Sequence, residues 1–317
     1  MAIKFILCGL VSLAFSLLLA PIVVRACKKL KAGQNILHYV DKHMKKQGTP
    51  TMGGFIFLFP LIVGLLFLTR EQRFPALFLL VVTYSYALLG FLDDFIKIHY
   101  HRNEGLRPYQ KIIGQLGIAI IVGVYAYFSG GSVLNFFGLK FDIGLFVIPL
   151  VVLVLVATTN SVNLTDGLDG LAGGVSFSYV TIFGAILALL TYENLALMCF
   201  SLAGALVGFL AYNAYPAKIF MGDTGSLALG GFIGTVAVLA GLEFILPIMG
   251  IMFVLSAVSD IIQVLHYKRT KKRVFLMAPL HHHFEQKGVN ENRIVVVYII
   301  ITTAVSLGVL AGYLAVV

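Results

Sequence analysis

The sequence predicts an all-α integral membrane protein, a bundle of about ten transmembrane helices whose cytoplasmic loops form an active site. Three observations predict it. Hydrophobic residues make up 59% of the 317 and charged residues only 12%, with a mean hydropathy of +0.96, far from the balance of a soluble globular domain. Apolar runs close to the ~20 residues that a helix needs to cross a bilayer recur along the whole chain. The polar residues between them gather in a few islands, and alternating the runs across a bilayer puts those islands on one side.

The runs are 3–24, 52–69, 75–92, 112–128, 145–160, 171–191, 195–212, 225–242, 244–267 and 294–316. The first continues past Ala20-Pro21 to Val24 without a convincing small-residue cleavage site, so it reads as a span rather than a signal peptide. The sixth is diluted by Gly173, Gly174 and neighbouring Ser and Thr. Ten spans put both termini on one face and five of the nine loops on the other, and those five hold 19 of the 23 Lys and Arg. By the positive-inside rule they face the cytoplasm, with both termini outside. All eight histidines lie on or beside that face, as do nine of the fourteen acids, which no charge rule requires. The opposite loops, such as Ser129–Asp142 and Tyr192–Asn194, are short and chemically plain. No outer domain is expected, and residues 1–317 read as one polytopic domain. Cys8, Cys27 and Cys199 form no CxxC pattern, so neither a disulfide framework nor a metal knuckle is indicated. The net charge of +9 sits beside the bilayer, where it suits lipid headgroups and anionic substrates rather than nucleic acid.

The central island is Asn160-Ser-Val-Asn-Leu-Thr-Asp-Gly-Leu-Asp-Gly-Leu171. Asn160, Asn163, Asp166 and Asp169, at spacings of three, fall roughly on one helical face. Carboxylates are costly between two membrane spans, and a functional site is the natural reason to keep them; the bland alternative is a solvated loop. Asp93-Asp94-Phe-Ile-Lys97 ends the third span. Adjacent carboxylates repel unless a divalent cation or a lysine compensates, and Lys97 stands one turn from Asp93. Mg²⁺ favours one or two carboxylates plus phosphate oxygens, so this pair suits metal and phosphate, with Lys111 adding charge nearby. Lys46-Gln-Gly-Thr-Pro-Thr-Met-Gly-Gly54 makes a turn whose free N–H groups, with Lys46, can hold an anion; a helix-entry turn with an interfacial lysine is the plain alternative. In Asn213–Ser226, Asp223 stands at a helix start, where it could be an ordinary N-cap, while Phe220 and Lys218 could meet a base and a phosphate. Met277-Ala-Pro-Leu-His-His-His-Phe-Glu285 carries three successive histidines, which cannot all face one metal on a helix; one or two near phosphate is the better reading. Asp260, inside the ninth span, could join the site or pair with Lys268. No P-loop or dinucleotide fingerprint is present. The set fits metal-assisted phosphoryl chemistry at a membrane surface, between a soluble phosphorylated substrate and something lipidic.

At these residues the chain resembles the polyprenyl-phosphate hexose-1-phosphate transferase superfamily, through Asp93-Asp94-Phe-Ile-Lys97, Asn160–Gly170, Phe220-Met-Gly-Asp-Thr-Gly-Ser and His281-His-His-Phe-Glu. Gly48-Thr-Pro-Thr-Met-Gly-Gly54 and Met277-Ala-Pro-Leu-His-His-His narrow the likeness to the phospho-N-acetylmuramoyl-pentapeptide transferase (MraY) family, over essentially the whole chain. The resemblance implies a homodimeric bacterial enzyme of peptidoglycan synthesis, and so of cell-wall biogenesis, cell shape and division. It would move phospho-MurNAc-pentapeptide from UDP-MurNAc-pentapeptide to undecaprenyl phosphate, giving lipid I and UMP, with Mg²⁺ required. It also implies roles by motif position. Asp223 would ligate Mg²⁺; Asp93 and Asp94 would serve the chemistry, one as base; His281 would assist near the diphosphate. Asn213, Phe220, Asp166 and Asp169 would shape the nucleotide pocket, and Lys46, Thr51, Lys97, Lys111, Asn163 and His282 would bind substrate.

Two departures stand out. The family usually has an Arg, acids and Gly-Pro after Gly-Gln-x-Ile, where this chain has Leu37-His-Tyr-Val-Asp41. It usually has a Glu where this chain has Ser256, with Asp260 one turn later. Within the same class, the alternative is a relative that takes UDP-GlcNAc or another UDP-sugar, disfavoured by the Met-Ala-Pro triple-His loop. A cation-coupled carrier is the alternative from another class, but it would want acids near mid-membrane on broken helices.

Overall fold

The computed structural model describes residues 2–30, 48–71, 73–100 and 104–316. In chain order its helices are α1 (Ala2–Lys29), α2 (Phe55–Leu61), α3 (Gly64–Phe67), α4 (Arg73–His99), α5 (Pro108–Phe128), α6 (Val147–Thr165), α7 (Leu171–Leu189), α8 (Glu193–Asn213), α9 (Gly222–Leu239), α10 (Leu246–Met249), α11 (Ile251–Thr270), α12 (Leu280–Gln286) and α13 (Glu291–Val316). Nine of them, among the described residues, are long and apolar enough to cross a membrane. This is the all-α membrane bundle that the composition predicts.

The second apolar run is where structure and expectation part. It is a broken crossing, and Pro60 explains the break. Proline has no N–H to give the carbonyl four residues back, and its ring crowds that turn. The orphaned Ile56 carbonyl instead accepts the Ser16 hydroxyl of α1 at 3.0 Å. The Pro60 carbonyl takes Ser12 at 3.2 Å, and the Leu61 carbonyl takes Ser201 of α8 at 3.2 Å. Backbone groups freed at membrane depth need such partners, because lipid offers none. At about 1.5 Å per residue, Phe55–Phe67 would fall short of a ~30 Å hydrocarbon core. It still joins the two ends of the bundle: Gly54 lies against Gly225 at the start of α9, and just past α3 the Thr69 N–H meets Asn194 Oδ1 at the start of α8, 2.9 Å away. The ninth run is likewise divided at Gly250 into α10 and α11.

Burial grades outward from the middle. α9 is buried almost along its length, α7 and α8 nearly so, while α1, α5, α11 and α13 turn most of their apolar surface outward. α1 packs along α8, α4 and α6 along α9, α7 against α8 and α13, and α5 against α6. Close approach of α4 to α9 depends on Gly90, since a Cβ there would collide with the Asp223 carbonyl. That contact brings the ends of two helices together at the acids.

The 129–142 loop folds into a hairpin, β1 (Val133–Phe136) with β2 (Leu139–Asp142), which the sequence reading left as plain loop. It lies at the end of the bundle away from the acids, bonded from Asn135 N–H to the Gly241 carbonyl at 2.6 Å, with Phe137 stacked on Tyr313 of α13. Lys4 of α1 pairs with Glu193 of α8 at 3.0 Å, at that same end. Both described ends of the chain therefore lie opposite the acids, as the alternation of ten spans requires.

Candidate active site

Four local features build the acid-bearing end. α4 ends with Asp93, Asp94 and Lys97. α5 opens on Pro108, pre-set for a first turn, with Gln110 Oε1 accepting the Arg107 N–H at 2.9 Å, and so places Lys111 one turn in. α6 ends at Thr165, with Asp166 just past it. α9 opens on Gly222 and Asp223.

Asp93, Asp94 and Asp223 each bring one carboxylate oxygen within 4.8 Å of the others. Their surroundings differ. Asp94, buried, accepts the Asp223 N–H at 3.1 Å, the Thr224 N–H at 2.9 Å and the Thr224 hydroxyl at 2.7 Å. It caps α9 from another helix, meeting unpaired N-terminal donors and the positive end of the helix dipole. Asp93, also buried, accepts the Leu106 N–H at 2.8 Å. Lys97 Nζ lies 2.6 Å from its Oδ2 as an ion pair. Asp223 is the most open of the three. Its Oδ2 meets Lys111 at 2.5 Å and Lys97 at 3.1 Å, and its Oδ1 accepts Asn163 Nδ2 at 2.8 Å. Lys111 also reaches Asp93 at 3.3 Å. Asp93 and Asp223 thus share two ammonium groups while Asp94 meets the start of α9, leaving a net negative cluster of hard oxygen donors. That donor set fits Mg²⁺, which prefers few carboxylates and completes its shell with water or phosphate.

A second group lies beside it. Asp166 takes no hydrogen bond from the described residues, and its pKa is pushed up to about 8, first by burial and then by the charges of Asp223, Asp94 and Asp169. The next residue, Gly167, faces the His281 ring of α12, and a Cβ on it would meet His281 Nε2, with His282 Nε2 next nearest. His281 is fully buried and neither ring nitrogen has a partner among the described residues. Burial, and then His282 beside it, hold its pKa down at about 3, so the ring is neutral. His282 Nδ1 sits 2.9 Å from Glu285, and His283 Nδ1 accepts the Leu276 N–H at 3.1 Å. His281 and His282 both turn Nε2 toward Gly167, while His283 turns away to Leu276.

A third group is a set of backbone clamps. Asn213 Oδ1 accepts the Gly170 N–H at 3.1 Å while its Nδ2 donates to the Ile219 carbonyl at 2.9 Å. Asp169 accepts the Ala217 N–H at 2.9 Å, and its own N–H goes to Glu291 at 2.7 Å. The 219–222 segment runs beside 50–54, with Phe220 N–H on the Pro50 carbonyl at 2.8 Å and Gly53 N–H on the Phe220 carbonyl at 2.8 Å. This brings Thr51 and Phe220 to one strip.

Lys46 and the Leu37–Asp41 departure lie outside the described residues. One expectation is corrected. Asn160 does not share a face with the acids: its Nδ2 donates to Gln115 of α5 at 2.6 Å, and the helix that would align it with Asp169 stops at Thr165. Lys218 sits over the Tyr212 ring at 5.6 Å. Asp260 makes no ion pair with Lys268 among the described residues. Sequence reasoning missed Gln115, Glu285 and Glu291 as partners; nothing in their spacing distinguishes them from ordinary polar positions.

Known proteins share this pattern. The model of glycosyl transferase family 4 matches residues 76–241, a span holding all three clustered acids but not α12. A phospho-N-acetylmuramoyl-pentapeptide-transferase of Clostridium botulinum (strain Eklund 17B / Type B) is 46% identical over 296 residues, covering 92% of this chain and 91% of that protein. One from Thermoanaerobacter sp. (strain X514) is 46% identical over 304 residues, 94% of this chain and 95% of its own length. One from Acetivibrio thermocellus is 47% identical over 300 residues, 92% and 90%. Likeness of this degree, extending past the family-4 region to the histidine helix, settles membership: the chain belongs to the phospho-N-acetylmuramoyl-pentapeptide-transferase family.

Proposed function

We propose that the protein transfers phospho-MurNAc-pentapeptide from UDP-MurNAc-pentapeptide to undecaprenyl phosphate, releasing UMP and forming lipid I, the first membrane step of peptidoglycan synthesis. The observation that carries the reading is the convergence of Asp93, Asp94, Asp223, Lys97, Lys111 and Asn163, drawn from four helices, on one net-negative cluster at a bundle end. The activity for which the family is named gives that cluster its substrates.

Asp223, the most open acid, is the residue we assign to Mg²⁺, with Asp93 beside it. The bound ion would supply charge neutralisation at the diphosphate and so assist departure of UMP. Lys97 and Lys111 hold the acids in place without substrate, and their ammonium groups are placed to turn to phosphate oxygens, since phosphoryl transfer rests mostly on positioning and charge stabilisation. Asp94 keeps Asp223 in register by capping α9, which leaves Asp93 as the better placed of the pair to accept a proton from the lipid phosphate. Asn163 orients Asp223. Neutral His281, with both nitrogens unbonded among the described residues, is assigned a hydrogen bond to the diphosphate, and His282 stands next to it for the same ligand. Phe220 is assigned to the uracil face, in a pocket shaped by Asn213, Asp166 and Asp169, with Thr51 assigned to phosphate, a role the family resemblance also implies for Lys46. The 19 basic residues on the acid-bearing side support a cytoplasmic site in a bacterial cytoplasmic membrane, with both termini outside. The family resemblance supports a homodimer.

The test is UMP release by purified protein from UDP-MurNAc-pentapeptide, with and without polyprenyl phosphate and Mg²⁺, against a panel that includes UDP-GlcNAc. Release that needs the muramoyl donor, the lipid and the cation is expected. Preference for another UDP-sugar would overturn the donor assignment.

A further inference from the structure

The segment that leads into the histidine helix is held by residues that none of the motifs contains. It follows α11, whose surface is otherwise largely exposed and apolar. On α11, the half-buried Gln263 side chain acts like a strand partner. Its Oε1 accepts the N–H groups of Val274 at 3.0 Å and Phe275 at 2.9 Å, and its Nε2 donates to the Phe275 carbonyl at 3.1 Å. One turn back, buried Ser259 Oγ accepts the Leu280 N–H at 2.9 Å, at the first residue of α12, while donating to the Ser256 carbonyl at 2.8 Å. From the other side, His283 Nδ1 takes the Leu276 N–H. The segment therefore docks on α11 at two points four residues apart, on one helix face. α12 has only seven residues, too short to hold its own position.

We propose that Gln263 and Ser259 are positioning residues for the imidazole pair. By latching 274–280 to α11 they set how far His281 enters the space left by Gly167, and so how well the site holds its donor. The inference rests on the reading that His281 and His282 face the donor diphosphate.

Hydrogen exchange and kinetics on Gln263→Leu, Gln263→Glu, Ser259→Ala and Ser259→Thr test it. Gln263→Leu is expected to speed amide exchange at Val274 and Phe275 and to raise KM for UDP-MurNAc-pentapeptide about tenfold. Its kcat, and the half-saturating Mg²⁺, should stay within about threefold, because the acid cluster is untouched. Gln263→Glu keeps the acceptor for both N–H groups and should fall between. Ser259→Thr, which keeps the hydroxyl, should restore what Ser259→Ala loses. Unchanged exchange at Val274 and Phe275 in Gln263→Leu would overturn the latch whether or not the protein turns over. Faster exchange with donor KM unmoved would leave the segment docked but overturn its role in positioning. Wild-type protein that releases no UMP from this donor would instead sink the functional reading, with the exchange arm still deciding the latch.

Discussion

Where α4 meets α9, every carboxylate has a cation or a helix end to answer it; where the Asp166–Gly167 turn meets α12, neither ring nitrogen of His281 has a partner among the described residues. The two regions lie side by side but are held differently. The acid cluster is assembled by its own charges, two lysines shared between Asp93 and Asp223 and a helix N-terminus on Asp94. The imidazole cluster is assembled by shape and by backbone clamps: a glycine that leaves room, and Asn213 and Asp169 each tying two loops together. Buried polar atoms left unbonded cost free energy. Ligand binding at His281 would therefore relieve an existing penalty, whereas at the acids it must displace or redirect lysines already in place.

The sharpest way to break this contrast is to remove one charge from the first region. Asp223→Asn keeps the shape but removes one of the two carboxylates that Lys97 and Lys111 share, leaving them Asp93 alone, and deletes the proposed metal ligand. We expect kcat to fall about a thousandfold, ~4 kcal/mol of barrier, and Mn²⁺ binding, followed by electron paramagnetic resonance, to be lost with it. Near-normal turnover at saturating Mg²⁺ would refute the assignment.

A smaller effect is expected from the second region. Gly167→Ala puts a methyl group where His281 Nε2 stands, so the ring must shift. Donor KM should rise about tenfold, by misplacement rather than by lost charge, while Mn²⁺ affinity at the acids stays unchanged. Loss of metal affinity in this variant would show that the two clusters move as one unit and that the contrast is false.

Within the second region, protonation acts in two opposite senses. Asp166 has a folded pKa of about 8, above the ~3.9 of an unfolded Asp. The native state then binds the extra proton, and stability falls as pH rises from about 4 to about 8. His281, at about 3 against ~6.5 unfolded, works in the other direction, and its contribution is lost as pH falls from about 6.5 to about 3. Asp166→Asn should thus raise Tm at pH 8 more than at pH 5, and His281→Gln should flatten the loss of Tm on acidification. Parallel pH profiles for both variants and the parent would contradict this.

How much of this was legible in the sequence follows from what each residue answers to. Asp93, Asp94, Lys97, Asn163 and Asp223 are charged or amide groups at helix ends in an apolar chain, and cost alone marks them. Their convergence followed from counting spans, because alternation puts odd and even ends on opposite faces. The clamps were not legible. Asn213 and Asp169 look like pocket residues but bond to backbone, and Asn160 looks like a site residue but turns to Gln115. Gln263 and Ser259 are ordinary polar residues on an amphipathic helix until the chain folds back over them. The broken second crossing had a visible cause in Pro60, but its remedy lay 40 residues away in Ser16.

That remedy gives the mildest prediction and a test of how local the first region is. Ser16 Oγ has one proton for two buried carbonyls, Ile56 at 3.0 Å and Ala205 at 2.9 Å. Ser16→Ala leaves the Ile56 carbonyl with neither a proline N–H nor a hydroxyl. The expected cost is about 1 kcal/mol of stability, read as a lower Tm in detergent, with UMP release within about twofold of the parent. The broken crossing begins at Gly54, packed on Gly225 and Thr224, and Thr224 bonds Asp94. A loss of turnover well beyond the loss of stability would therefore mean that strain at Pro60 reaches the acids along α2. Turnover unchanged while Tm falls would mean that Asp94 and the lysines fix the acid cluster without help from the helix that abuts it.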